Sequence, residues 1–134
     1  MFVDASAAVA ILTNEPQRSA LLRCLDGTSD LITSPLAVFE MVAALTRRRA
    51  QPAEMSADQV RAFLDTAGIS IVPITDAEGQ EALAAFARYG KGQGHPAQLN
   101  LGDCFAYACA RTRDVPLLFV GNDFSQTDIG AGMA

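Results

Sequence analysis

Four carboxylates, Asp4, Glu40, Asp103 and Asp123, stand at the rims of apolar segments. Asp4 follows Phe2-Val3. Glu40 interrupts the run from Leu36 to Leu45. Asp103 opens Asp103-Cys104-Phe105-Ala106-Tyr107-Ala108, and Asp123 closes the strand-like Leu117-Leu118-Phe119-Val120. Carboxylates within about 4–6 Å of one another repel, so some keep their protons unless a cation joins them. Mg²⁺ or Mn²⁺ takes oxygen ligands and relieves that repulsion. Such an ion polarises a phosphoryl oxygen and acidifies a bound water. Three or four carboxylates without a histidine, cysteine or lysine partner therefore point to metal-assisted phosphoester hydrolysis.

Each acid has an ordinary alternative. Asp4 and Asp123 suit turns or caps. Asp103 suits the third position of a helix capped by Asn100, and Glu40 suits a solvent-facing stripe. The argument for chemistry lies in the four together. Asp128, in Thr127-Asp128-Ile129, is a weaker fifth ligand for which capping serves as well. Ser6, two residues past Asp4, is placed to hold a metal-bound water or a phosphate, but it has no base nearby in sequence to make it a nucleophile. His95 is the single histidine, either a loop residue or a substrate contact. Arg47-Arg48-Arg49 reads as cations at a helix C-terminus or as a phosphate-steering patch to which Arg88 and Lys91 add. No Walker lysine motif and no GxGxxG are present, which removes nucleotide-binding readings.

The elements that must position these residues alternate strand and helix. Met1 to Val3, Leu31 to Thr33, Ile69 to Ile74 and Leu117 to Val120 are short apolar strand candidates. Between them, Ala5 to Leu12 is helical, and Asn14 before Glu15-Pro16 signals a helix start. Ser34-Pro35 caps a helix running to about Arg49. Ser56 with Gln59, and Thr75 with Glu78, fit capping boxes. Gly27, Gly68 and Gly90 sit where helices should stop. Lys91 to Pro96 is a glycine-rich loop leading into the Asp103 helix. Short continuous apolar strands alternating with helices describe a parallel sheet covered on both faces. Sites in such sheets form beyond the strand carboxyl ends, near the topological switch point. Asp4 and Asp123 both fall at such ends.

The chain of 134 residues is read as one domain, 1–134. Half of its residues are apolar, enough for a core. Fifteen acidic against ten basic residues give a net charge of −5. That argues against a general basic nucleic-acid coat and against DNA binding by this chain alone, while a metal-loaded site can still carry a local basic rim. Cys24, Cys104 and Cys109 lack metal-ligand spacing and read as buried free thiols, which suit a reducing cytoplasm. No apolar stretch is long enough to span a membrane, and Asp4 argues against a signal peptide.

These residues resemble a known family. Met1-Phe2-Val3-Asp4-Ala5-Ser6-Ala7, the Glu40 helix, Leu101-Gly102-Asp103-Cys104-Phe105-Ala106-Tyr107-Ala108 and Gly121-Asn122-Asp123-Phe124 with Thr127-Asp128-Ile129 look like a PIN domain, and more narrowly like a VapC-type toxin of a bacterial toxin–antitoxin pair. The resemblance covers nearly the whole chain. It implies a three-layer α/β/α fold around a short parallel sheet. It implies a Mg²⁺- or Mn²⁺-dependent endoribonuclease that cleaves tRNA or rRNA and arrests translation. Carried over residue by residue, Asp4, Glu40, Asp103 and Asp123 match the acidic quartet, Asp128 a less constant acidic position, and Ser6 a polar position beside the first Asp. A homodimer is implied, silenced by a small VapB-type antitoxin whose tail enters the site. Two other readings compete: a receiver-like signalling module, which needs adjacent acids at its first strand and a lysine after a late one, and a catalytically silent PIN-type binding domain.

Overall fold

The computed structural model describes residues 1–132, so the last two residues of the expected 1–134 domain lie outside the described residues. In chain order the elements are β1 (Phe2–Val3), α1 (Ala5–Leu12), α2 (Arg18–Asp26), β2 (Leu31–Thr33), α3 (Pro35–Arg49), α4 (Ala53–Ala67), β3 (Ile69–Ile71), α5 (Asp76–Tyr89), α6 (Leu101–Thr112) and β4 (Leu117–Leu118), followed by a 3₁₀ turn at Phe124–Gln126. The strands form one parallel sheet in the order β3-β2-β1-β4. The chain builds outward from β1 through β2 to β3, then returns to the other side of β1 with β4. The switch point therefore lies between β1 and β4.

Strand β1 is the centre of this arrangement. Phe2 pairs with Ile32 on one side and Leu117 on the other, and Val3 pairs with Leu118. Both β1 side chains are fully buried, as are Leu117 and Leu118. Burying each such side chain contributes roughly 1.5–3 kcal/mol, so two-residue strands suffice here because helices cover them on both faces. The tail completes the β4 edge: the Gly132 amide donates to the Leu117 carbonyl at 2.7 Å, and the Leu117 amide to the Gly130 carbonyl at 2.8 Å. A covered edge has no open ladder to offer another chain.

Several boundaries differ from the sequence reading. Strand β3 stops at Ile71 rather than Ile74. Val72 still donates to the Thr33 carbonyl at 2.9 Å, but Pro73 has no amide to continue the ladder. Strand β4 stops at Leu118 because the Val120 amide turns away to the Ser6 hydroxyl, 3.0 Å distant. Glu15-Pro16-Gln17 forms a turn, and α2 begins at Arg18. Helix α4 starts a turn ahead of Ser56, after Pro52. Ser56 is buried and hydrogen-bonds Thr46 and Gln51 at 2.9 Å each. The Thr75–Glu78 capping box is present. Cys104 and Cys109 are buried and Cys24 is half-buried, and all are free thiols.

Candidate active site

Asp4 ends β1 and caps α1. Its Oδ2 accepts from the Ser6 amide at 3.1 Å and from the Ser6 hydroxyl at 2.5 Å. The Ser6 oxygen in turn accepts from Val120 N–H. One hydroxyl thus ties the end of β1 to the segment leaving β4 and fixes the Asp4 carboxylate. Ser6 lies in the predicted place, but its proton is spent on Asp4, so it orients that carboxylate.

Glu40 is delivered by α3. Ser34 caps this helix, accepting from Ala37 N–H at 3.1 Å, and Pro35 occupies its first position. The preceding Thr33 hydroxyl is buried and donates to the Val3 carbonyl at 2.9 Å, which locks the start of α3 against β1. Ala37, Met41 and Leu45 bury one stripe of the helix. Glu40 sits beside that stripe, half-buried, with its carboxylate laid over Gly102 of α6. Only a glycine leaves that room: a methyl carbon there would lie 2.6 Å from Glu40 Cδ and 2.7 Å from Oε1.

Asp103 follows immediately and has two roles. Its amide donates to Asn100 Oδ1 at 2.9 Å, and its Oδ2 accepts from the Asn100 amide at 3.1 Å. The capping reading is thus correct, yet the same carboxylate also faces the other acids. Asp123, exposed, precedes the 3₁₀ turn beyond β4.

Electrostatics shows which acids sense one another. Burial pushes the Asp4 carboxyl up from its usual range, and the Asp123 charge adds to it. Glu40 is raised to about 7 by burial, then by the charges of Asp4 and Asp103. Asp103 is raised to about 6 by burial and by Asp4 and Asp123, against the pull of the Asn100 amide. The quartet forms one repulsive field, as like charges in a poorly solvated rim must. Among the described residues no three acidic, histidine or cysteine side chains converge into a ready-made cage. The donor set still suits a hard divalent ion, because every candidate ligand is a carboxylate oxygen and the field favours a cation. Asp4, Glu40, Asp103 and Asp123 are the residues that would hold it.

The remaining predicted residues separate. Asp128 accepts from the Tyr107 hydroxyl at 2.5 Å and pairs with Arg88 at 3.4 Å and Arg111 at 3.9 Å. The Tyr107 bond and the arginines hold its carboxyl below the usual range. Its oxygens anchor the C-terminal segment, so the structure does not support it as a ligand. His95 accepts at Nδ1 from the Ala97 amide at 3.0 Å and packs edge-on against Tyr89, which makes it a residue of the glycine-rich loop and not of the acidic rim. The three arginines diverge. Arg48 pairs with Glu15 at 2.6 Å, and Arg49 reaches Gln59 and the Leu12 carbonyl. Arg47 and the Glu15-paired Arg48 both line a cleft of about 690 Å³ that also reaches Ser6 and Glu40, and of these two only Arg47 has no ion pair among the described residues.

The family model for the PIN domain matches residues 1–130. The chain belongs to the PIN-domain family. Within the family it stands with the VapC ribonucleases. This PIN domain is 48% identical to a VapC ribonuclease of Rhizobium meliloti, covering 96% of this chain and 99% of the relative. It is 37% identical to ribonuclease VapC42 of Mycobacterium tuberculosis, covering 96% of each. Among solved structures it resembles the M. tuberculosis toxin VapC20, described as cleaving the sarcin-ricin loop, with a TM-score of 0.75 at 20% identity over 96% of this chain and 95% of that one. A toxin–antitoxin complex from Klebsiella pneumoniae gives 0.67 at 16% identity, over 92% and 89%. The expected fold is that of the PIN domain, and the receiver-like reading falls away with it.

Two residues of this PIN domain escaped the sequence reading. Gly102 stood in a quoted motif, yet nothing local shows that its missing side chain makes room for Glu40. Phe39 read as one more apolar position of α3, but it is 71% exposed beside Glu40. The clue available in sequence was its place next to the acid.

Proposed function

We propose that this PIN domain is a metal-dependent endoribonuclease toxin. With Mg²⁺ or Mn²⁺ it hydrolyses phosphodiester bonds of tRNA or rRNA and so arrests translation, and a small VapB-type antitoxin silences it. The observation that carries this reading is the coupled set of Asp4, Glu40 and Asp103 at the switch point, where burial and mutual repulsion favour a cation. The names of the relatives support RNA as the substrate, and the complex among the structural neighbours supports an antitoxin. When bound, the metal would supply Lewis-acid polarisation of the phosphate and an acidified water. The chain's own part is positional. Ser6 aims Asp4, Gly102 admits Glu40, and the Asn100 cap orients Asp103. We place the protein in the cytoplasm, and we read it as a homodimer, for which the exposed apolar face of Leu83, Phe86 and Leu101 on α5 and α6 is the support. Among the described residues no helix is long and apolar enough to cross a membrane.

The test is cleavage of a tRNA and rRNA mixture with Mn²⁺, with excess EDTA, and by Asp4→Asn and Asp103→Asn. Asparagine caps helices as well as aspartate does, so Asp4→Asn should fold. Wild type should cleave only with metal and gain melting temperature on Mn²⁺ addition, and both variants should lose both responses. Undiminished cleavage in EDTA, or by Asp4→Asn, refutes the reading.

A further inference from the structure

The mouth of the site continues into the cleft between α1 and α3, lined by Ser6, Val9, Phe39, Glu40, Ala43 and Arg47 among others. Its volume of about 690 Å³ lies within the range of ligand pockets. We infer that this cleft is a subsite for an unpaired nucleotide of the RNA, with Phe39 as the platform on which its base stacks and Arg47 as the contact to its phosphate. The inference rests on the proposed ribonuclease activity and adds to it a pair of specificity-determining residues.

Three observations carry it. First, Phe39 is 71% exposed and directly precedes Glu40. A phenyl ring left 71% exposed gains little for the fold, whereas a flat apolar face beside a phosphodiester site is what an unstacked base needs. Second, Ala43 and Ala44 follow on the same side of α3. Their short side chains leave an open floor, where larger residues would close the cleft. Third, none of the ion pairs among the described residues involves Arg47. Its neighbours Arg48 and Arg49 are tied down, and either suffices to complement the α3 C-terminus. Seven residues separate Glu40 from Arg47, which is roughly 10 Å along a helix and close to two full turns. Both therefore lie on one side, acid at one end of the cleft and cation at the other. An RNA strand whose scissile phosphate sits at the acids finds the ring directly beside Glu40 and the positive charge about two turns further along α3. A protein partner could use the same ring and arginine, but the cleft also holds Glu40 of the acidic rim and the Ser6 that binds Asp4, and that adjacency favours the substrate.

The experiment uses the full chain in two formats. Binding of a fluorescent random-sequence single-stranded RNA is measured on the Asp4→Asn background, and cleavage of the tRNA and rRNA mixture on the wild-type background. Phe39→Ala should weaken RNA binding about 5- to 150-fold, the usual worth of one stacked base, and Phe39→Trp should restore it. Arg47→Ala should lower affinity and reduce the slope of log affinity against log salt by about one. A closed RNA duplex should be indifferent to Phe39→Ala. Thermal melting should be unchanged, since both side chains are exposed. If wild type cleaves RNA and Phe39→Ala binds and cleaves as well as wild type, the subsite is overturned while the ribonuclease reading stands. If wild type neither binds nor cleaves RNA, the reading beneath it has failed. If Phe39→Ala leaves RNA binding intact and abolishes only inhibition by a purified antitoxin, the cleft is a protein-docking site and the inference is wrong.

Discussion

Replacing Gly102 by alanine separates the position of Glu40 from the stability of the fold. The new methyl carbon would lie 2.6 Å from Glu40 Cδ. Ordinary carbon contacts begin near 3.5 Å, so the carboxylate must retreat by about 1 Å. It can do so cheaply, because only the end of a flexible side chain is in the way. An off-rotamer adjustment costs about 0.5–1.5 kcal/mol. Alanine returns about 0.4–1 kcal/mol by restricting the unfolded chain. The net change in stability is therefore within about 1 kcal/mol, or about 4 °C in melting temperature for a chain of this size. The catalytic cost is much larger, since a 1 Å misplacement at a reacting centre is worth about 10²-fold. Gly79→Ala is the control: it is also helical, and nothing lies within 4 Å of its added carbon. Both variants should melt near or above wild type, and only Gly102→Ala should lose kcat/KM on RNA. Wild-type turnover by Gly102→Ala would refute the claim that Glu40 acts from its place over Gly102. A loss of more than about 3 kcal/mol would show instead that the methyl meets something unable to yield.

Three further outcomes follow from the packing. Ala50 caps α3 in a left-handed conformation, φ 48°, so Ala50→Gly should stabilise by about 1 kcal/mol in urea unfolding, with activity unchanged. Buried Glu78 is held at about 2, chiefly by the Thr75 hydroxyl, and its Oε1 accepts from Arg113 at 2.8 Å. A depressed carboxyl stabilises the fold above its unfolded value near 4.5, and that contribution disappears as pH falls toward 2. Glu78→Gln should therefore cost about 1–3 kcal/mol at pH 6, and the gap from wild type should close at pH 2 to 3. Ser6→Ala strips Asp4 of a donor and leaves the Val120 amide unpaired, a cost of about 1–3 kcal/mol. Its cleavage rate should fall more than its RNA affinity, and equal losses in both would reverse the orienting role assigned to the hydroxyl.

Much of this arrangement was readable because it is encoded locally. Ser34-Pro35, Thr75 with Glu78, and Asn100 with Asp103 mark helix starts through hydrogen bonds spanning three residues. Strand-and-helix alternation then leads to a parallel sheet, and the switch-point rule places Asp4 and Asp123 at one end of it. What escaped depends on partners far away in sequence. Ser56 looked like a cap but serves Thr46 and Gln51 from inside a helix. Three consecutive arginines looked like one patch, but helical geometry turns them about 100° apart, and Glu15 and Gln59 claim two of them. Asp128 carries the right residue type, but its carboxylate is engaged by Tyr107, across 21 positions of chain.

The central position of β1 also dictates when the enzyme comes into being. Strand β1 needs β4, which is made after β2 and β3, as its neighbour: the Phe2 amide donates to the Pro116 carbonyl, and the Asp4 amide to the Leu118 carbonyl. Asp103 and Asp123 are likewise made after β3. A nascent chain can fold β1, β2 and β3 against their helices, yet it carries only Asp4 and Glu40. Completion of the acidic rim thus waits until α6, β4 and Asp123 have left the tunnel. A fold that sets β1 between an early and a late neighbour keeps the acidic rim incomplete until the late one has been made.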